Sequence, residues 1–488
     1  MMNLKDQRTA LDFCESEGEL LTIDNEIDPI YEMASVAKSF DGGPALLFNN
    51  IKGYPNWRSV TNILGRKERI AKMFGTSPDA LPQRILQAVN APIGHELIND
   101  APCQENVITA NINVAETLPI MKQTRLDIGP VISGGIVMVQ YPPELAHSVN
   151  SFNLSFHRLY AGLGKDWTTL ATLYNRHFLE VLHHHKNHGQ EFPLTINLGT
   201  SPALGVLASG GAFPQIRAVG SDDLAIAGNL QESPIRICKA KTVDAYAIAD
   251  AEVVLEGKVN YEEKVREDQD VEGGTPGRNY FFPEFLGYQG IAERAFKFEV
   301  SAITFRNQPQ YYTPLADSCE SSHLGSLITM ASIYHACKSA APHVFINCNI
   351  LDSMRGIMGV VIQCKVRHIL QQGTSQRLIS AALGAIKDIK WVVVVDEDVD
   401  IFDPTDVLWA ITTRTRAEED INIIKGTGVG LFSSQWSVDT TVPMQDKYRT
   451  LRPRFEEADL RQWLSDEDIL RGQALMNEGA ASVSRRRV

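Results

Sequence analysis

Four runs in the last third of the chain are almost entirely apolar: Val344-Phe-Ile-Asn347, Gly359-Val-Val-Ile-Gln363, Trp391-Val-Val-Val-Val395 and Ile421-Asn-Ile-Ile424. Successive residues of a strand point to opposite faces, so an unbroken apolar run needs cover on both. Gln376 to Ile389 and Thr405 to Thr413, which lie between the runs, carry helical patterning. Strand and helix in alternation predict a parallel α/β sheet from about Ser326 onward.

Upstream the pattern differs. Between Asn106 and Gln310 short β-type runs dominate, among them Gly135 to Gln140, Leu194 to Leu198, Glu252 to Glu256 and Ala302 to Phe305, separated by Gly and Pro. This predicts a barrel or sandwich. Few helices are expected there, the clearest over Trp167 to His185, with Phe178, Val181 and Leu182 on its apolar face. Before Asn106, helices at Arg8 to Gly18, Ile30 to Phe40, Arg66 to Phe74 and Pro82 to Val89 alternate with strands at Leu20 to Asp24 and Ala45 to Asn49. That segment reads as a small α/β domain.

The expected division is therefore 1–105, 106–315 and 316–488, the last ending in a charged arm suited to packing on another subunit. A chain of 488 residues fits two or three such domains. The net charge of −13 argues against nucleic acid or an anionic membrane as the main partner. No apolar run approaches a membrane span, and Met-Met-Asn-Leu-Lys-Asp-Gln-Arg lacks a signal peptide's apolar core, so a cytoplasmic location is expected. Cys14, Cys103, Cys238, Cys319, Cys337, Cys348 and Cys364 include no Cys-x-x-Cys pair and read as buried reduced thiols.

Several clusters carry possible chemistry. Asp396-Glu-Asp-Val-Asp400-Ile-Phe-Asp403-Pro-Thr-Asp406 follows a buried strand, where an α/β sheet places ligands. It suits either a metal-dependent nucleotide-sugar or phosphoryl transferase, or a solvated strand end with Asp403 capping a helix at Pro404. Gly426-Thr-Gly-Val-Gly430 lacks the following helix of a dinucleotide site, and His183-His-His-Lys-Asn-His188 reads as a solvated helix end.

In Asn153-Leu-Ser-Phe-His-Arg158, strand alternation puts Asn153, Ser155 and His157 on one face and Leu154, Phe156 and Arg158 on the other. An arginine among hydrophobes is either a snorkelling edge residue or a clamp for a carboxylate or phosphate. Glu284 stands among Tyr280, Phe281, Phe282, Phe285 and Tyr288. Apolar surroundings raise a carboxyl pKa, which is how a general acid is made; a buried proline turn gives the same pattern.

Taken together and in order, these fragments resemble the UbiD family of reversible, non-oxidative carboxy-lyases. The resemblance rests on Leu46-Leu-Phe-Asn-Asn-Ile-Lys-Gly-Tyr54, Asn153 to Arg158, Thr195 to Gly199, Glu256-Gly, Val265-Arg-Glu-Asp268, Pro283-Glu-Phe-Leu-Gly-Tyr288, Val395 to Asp400 and Leu408 to Arg414. It extends from about Leu11 to Pro443 and is nearest to the branch acting on hydroxybenzoates such as protocatechuate and gallate. It implies a central split β-barrel binding prenylated FMN, a C-terminal oligomerisation domain, a homodimer, and a flavin prenyltransferase as cofactor supplier. Arg158, Glu267 and Glu284 take the positions of the family's Glu-Arg-Glu network. The two acids are much closer in many relatives, so Asp268 to Pro283 reads as an insertion and Glu272 competes with Glu267.

Asn153, His177 and Asp223 match the family's ligands for Mn²⁺ or Mg²⁺, Asp223 replacing the usual Glu, with K⁺ expected nearby. The cofactor-binding set implied is Asn153, Ser155, Phe156, His157, Arg158, Arg176, His177, Ser209, Gly210 and Asp223. Arg158 would orient the substrate carboxylate and Glu284 protonate the product carbon. Tyr280, Phe281, Phe282 and Phe285 would exclude water, while Phe281, Phe282, Leu286 and Cys319 to Gly325 would line the substrate pocket, with His323 near a ring substituent. The substrate is an aromatic or heteroaromatic acid; a non-catalytic flavin-binding subunit is the other reading of the same resemblance.

Overall fold

The C-terminal apolar runs form one five-stranded sheet in the order Phe345–Asn349, Gly359–Cys364, Trp391–Asp396, Ser434–Asp439 and Ile421–Lys425. Its centre is parallel, as expected, but the first and last strands pair antiparallel. Val392 to Val395 are fully buried. Ile421–Lys425 is instead exposed along its whole length, as an edge strand paired antiparallel on one side only. Helices Cys319–Ala340 and Thr374–Ala385 pack on each other and on this sheet.

This computed structural model describes residues 4–484 except 173–175, 211–215, 272–274, 276, 429–432, 454 and 456–457. The chain divides into two compact units, Met1–Thr441 and Val442–Val488, the second containing helix Asp466–Ser484. Glu272 and Gly430 lie outside the described residues.

The central sheet is antiparallel. Its path runs Trp167–Leu170, Arg294–Phe305, Val253–Arg266, Pro193–Leu198, Ile136–Gln140 and Phe152–Phe156, with Asn106–Ile108 also on Arg294–Phe305. The two long strands shift register at Glu256/Gly257 and Asn260/Lys264, and such bulges bend a sheet. The two ends of the path meet. His157 Nδ1 lies 2.8 Å from the Ala171 carbonyl, the Ala171 N–H reaches the Arg158 carbonyl at 3.4 Å, and the Tyr160 N–H reaches Thr169 Oγ1 at 3.1 Å. Leu194, Ile196, Leu198, Val253, Leu255, Phe298 and Ile303 belong to the core of this layer.

The helix expected over Trp167 to His185 is shorter. Trp167–Leu170 is a strand, as its aromatic and β-branched residues favour, and the helix spans only His177–Asn187. Phe178, Val181 and Leu182 are buried on it as expected.

The N-terminal segment forms the sheet Leu20–Ile23, Ala45–Phe48, Arg58–Thr61, completed by the distant strand Gln310–Tyr312. Two fully buried ionic groups tie this region together. Arg69 bonds to the Ile63, Gly43 and Asn62 carbonyls and to Glu19, and Glu320 accepts from the Asn62 and Leu64 N–H groups at 2.7 and 2.8 Å. Buried charge of this kind persists only when its hydrogen bonds are met.

The Glu256-Gly pair has a structural explanation. Glu256 is fully buried and accepts from the Lys241 and Thr242 N–H groups. A Cβ on Gly257 would stand 2.0 Å from the Glu299 carbonyl oxygen across the bulge. Gly257→Ala is therefore expected to destabilise the fold by about 1–3 kcal/mol, the range of overpacked cores. Urea denaturation checks this, and an unchanged midpoint would mean that the strands separate freely at the bulge.

Candidate active site

The strand Phe152–Phe156 ends before Arg158, so Arg158 sits at the seam of the central sheet and not within a strand. Released from the pleat, its side chain crosses to the segment that precedes and follows Glu284. Arg158 Nη1 donates to Glu284 Oε1 at 2.8 Å, Nη2 to Glu267 Oε2 at 2.7 Å, and Nη2 also to the Ile291 carbonyl at 3.1 Å. Phe281 lies under the guanidinium, 4.4 Å from ring centroid to Cζ, adding a cation–π contact. Arg158 Nε is buried with no partner among the described residues.

The two acids differ in exposure. The Glu267 side chain is fully buried, and its Oε2 also accepts from the Glu293 N–H at 2.8 Å. The Glu284 side chain is 30% exposed and stands at the cavity wall. It is presented by a turn, closed by Glu284 N–H to the Tyr288 carbonyl and Gly287 N–H to the Glu284 carbonyl, between the paired strands Tyr280–Pro283 and Gln289–Ile291. Gly287 has φ +82°, a conformation that suits glycine. Burial pushes both carboxyls above the ordinary glutamate value, and the Arg158 charge works against both shifts.

Arg158 and Glu284 open onto a cavity of about 350 Å³. Its walls include Asn153, Ser155, Phe156, His157, Arg176, His177, Ser209 and Gly210, so this part of the expected set is brought together in one place. Glu267 and Asp223 lie behind the wall. The remaining lining is mainly apolar, with Phe282, Phe285, Leu315, Ala316, Leu324 and Ile357. This mixture of flat apolar walls with Arg158, Arg176 and Arg217 fits a planar ring system bearing an anionic tail. His157 bonds through Nδ1 to a carbonyl and lies 2.9 Å from Ser155 Oγ through Nε2; burial takes its pKa down to about 4, so the ring is neutral.

Three expectations are corrected. Tyr280 is 53% exposed and does not line the cavity, whereas Phe281 and Phe282 are buried as expected. Phe281, Leu286 and His323 do not line the cavity, although Phe282, Ser321, Leu324 and Gly325 do. His323 is buried with Nδ1 near the Leu64 carbonyl, at 3.1 Å, and Nε2 near Asp352, at 2.9 Å. The acids at Asp396 to Asp406 are engaged structurally: Arg414 makes a bidentate pair with Asp398 at 2.9 and 2.6 Å, and Asp403 caps the helix Pro404–Arg414 through the Thr405 N–H. No group of three or more His, Cys, Asp or Glu among the described residues is arranged to hold a metal.

The expected metal ligands fit an ion unevenly. Asn153 is 3% exposed, and its Oδ1 is buried with no partner among the described residues, as an ion ligand would be. His177 opens the helix His177–Asn187 on the cavity wall; burial first, then Arg217, Arg176 and His147, takes its pKa down to about 4, leaving a neutral ring able to ligate. Asp223 does not fit. Its Oδ1 accepts from Arg217 Nε at 2.5 Å, and its Oδ2 accepts from Arg217 Nη2, the Leu154 N–H and Asn153 Nδ2. Burial pushes this carboxyl up and Arg217 acts against the shift; the two-point contact is that of an ion pair. Arg217 was not singled out in the sequence, where only its place six residues before Asp223 hints at a pair.

Comparison with known proteins gives the architecture a family. The chain matches the 3-octaprenyl-4-hydroxybenzoate carboxy-lyase (UbiD) N-terminal domain over residues 11–89, the Rift-related domain over 96–317 and the C-terminal domain over 322–438. It is 28% identical over 421 residues to gallate decarboxylase of Lactiplantibacillus plantarum, covering 83% of each chain. It is 29% identical over 440 residues to phenolic acid decarboxylase of Sedimentibacter hydroxybenzoicus, covering 86% of each. Among solved structures, the UbiD-class enzyme HmfF of Pelotomaculum thermopropionicum, in an evolved dimeric form with prFMN, superposes with a TM-score of 0.82 at 28% identity, covering 95% of this chain and 99% of that one. The apo 3,4-dihydroxybenzoic acid decarboxylase of Enterobacter cloacae gives 0.85 at 29% identity, covering 94% and 98%. With all three domains matched in order and an Arg158 held between two acids at the cavity, this chain belongs to the UbiD family of carboxy-lyases and is a decarboxylase.

Proposed function

We propose that the chain decarboxylates an aromatic or heteroaromatic carboxylic acid, reversibly and without net oxidation, using prenylated FMN seated in the 350 Å³ cavity. One observation carries this reading: Arg158 bridges Glu267 and Glu284 at the edge of a largely apolar hollow. The HmfF complex with prFMN and the relatives named for gallate, phenolic acid and 3,4-dihydroxybenzoic acid support the cofactor and the substrate class. A homodimer, and a flavin prenyltransferase as cofactor supplier, belong to the same proposal. So do the segments 1–105, 106–315 and 316–488 as its N-terminal, cofactor-binding and oligomerisation parts.

When bound, the modified flavin supplies the electron sink that no side chain provides. The protein supplies orientation, dryness and a proton. Glu267, fully buried and anchored by the Glu293 N–H, holds the Arg158 guanidinium in one plane. Arg158, on the cavity wall, gives the substrate carboxylate a charge-assisted hydrogen bond. Loss of CO₂ leaves an electron pair on the ring carbon, and Glu284, protonated in its apolar surroundings, delivers H⁺ there, so that R–COO⁻ and H⁺ become R–H and CO₂. In reverse, the Glu284 carboxylate removes that proton. Phe281 and Phe282 keep water from the carbanion-like carbon.

Co-expression with a flavin prenyltransferase should yield protein whose bound cofactor has the mass of prenylated FMN and which releases CO₂ from an aromatic acid; purification without flavin would contradict the reading. Glu284→Gln is expected to retain the cofactor yet lose at least about a thousandfold in turnover, a general-acid contribution. It should also abolish deuterium incorporation at the product carbon, and normal exchange would remove Glu284 from the mechanism. The pH dependence has a defined sign. The acid form of Glu284 is the active one and its pKa is raised, so kcat should hold at low pH and fall about tenfold per unit on an alkaline limb whose midpoint lies above the ordinary glutamate value of 4.5. A limb absent from the wild-type profile, or unchanged in Glu284→Asp, would assign the proton to another group.

A further inference from the structure

The carboxylate expected to bind a divalent metal is already neutralised, and the group that neutralises it lines the cavity. Asp223 is 1% exposed and Arg217 3% exposed, and they pair through two points, Nε to Oδ1 and Nη2 to Oδ2. Arg217 is itself fixed: Nη1 donates to the Gly210 carbonyl at 2.7 Å and Nη2 to the Leu154 carbonyl at 3.0 Å. These bonds tie together the middle of the strand Phe152–Phe156, the cavity residue Gly210 and the helix Asp223–Gln231. Four N–H groups of the guanidinium are thereby used. The fifth, on Nη1, has no partner among the described residues.

Asp223 would be the only anionic member of an Asn153, His177, Asp223 ligand set. With its charge balanced by Arg217, a divalent ion would meet two neutral donors beside a guanidinium, and repulsion between the cations would offset much of the ligation. The unpartnered Asn153 Oδ1 is met as well by a water molecule. Arg176 and the first turn of the helix His177–Asn187 line the same end of the cavity, giving it further positive potential.

We propose that in this chain Arg217 takes the place of the divalent metal: the flavin phosphate is bound at the Arg217 end of the cavity without a bridging metal ion. This rests on the flavin reading above, and it concerns binding alone. The phosphate receives the free Nη1 N–H, while Asp223 keeps the guanidinium oriented.

FMN serves as the probe, its binding to the purified apoprotein followed by fluorescence quenching with EDTA or with Mn²⁺. The wild type should bind FMN with a Kd that differs by less than about threefold between the two conditions, well under the tenfold that 1.4 kcal/mol would give. Binding that disappears in EDTA and returns with Mn²⁺ would overturn the proposal and leave the flavin reading intact. Absence of FMN binding in both conditions would overturn the flavin reading and this one with it. Arg217→Gln, if it folds, should lose at least about tenfold in EDTA, as expected for one charge-assisted hydrogen bond. The same variant should recover affinity with Mn²⁺, because Asp223 is then released. The wild-type comparison decides the matter without the variant.

Discussion

The site depends on one guanidinium held between two carboxyls of unequal exposure. Arg158 cannot reach both Glu267 and Glu284 from inside a regular strand, where neighbouring strands would claim the backbone around it. It reaches them because the strand stops at Phe156, at the seam where the two ends of the central sheet are joined by a few bonds around His157, Arg158 and Ala171. The seam thus places one cation within reach of both acids. Glu267 fixes the guanidinium from the buried side, leaving the more exposed Glu284 to face the cavity. A single charge shared between two acids lowers neither fully, which is why burial still prevails and both pKa values rise.

A second arginine on the cavity wall reuses the same chemistry. Arg217 and Asp223 form a one-to-one pair at full burial, with backbone carbonyls taking further donors, and such a pair is rigid. Arg158, shared between two partners, is the one poised for a proton-dependent change. The cavity wall therefore holds a carboxyl whose pKa burial raises, Glu284, together with the fixed charge of Arg217 and apolar residues such as Phe282 and Ile357.

Much of this was legible in the sequence. Hydrophobic patterning located the strands around Leu20, Ala45, Ile136, Leu194, Gly359 and Trp391 and the helices around Lys67, Leu81 and Pro404, because in each the period of the apolar residues agrees with the local propensity. It failed at Trp167, where a helical run of spacing overlapped a β-favouring Trp-Thr-Thr-Leu, and at Ile421, whose apolar residues line an exposed edge. The fourth strand of the N-terminal sheet, Gln310–Tyr312, was out of reach, since nothing local says which distant strand a sheet edge will accept. At the site, ordered motifs singled out Arg158, Glu267 and Glu284, whose side chains the fold brings into contact. Arg217 and the engagement of His323 were missed, because a buried ion pair and a satisfied histidine leave no periodic trace. Strand alternation was also misleading for Arg158, which owes its position to the strand's end.

The most direct test of the Arg158 arrangement is the protonation state of Glu284 itself. Infrared difference spectra of the holoenzyme between low and neutral pH, with Glu284→Gln as the blank, isolate the C=O stretch of its protonated carboxyl. The account predicts that this band persists above the ordinary glutamate value of 4.5 and titrates at higher pH. A band already lost at or below that value would mean that Arg158 holds Glu284 ionised, and the proton would have to come from elsewhere.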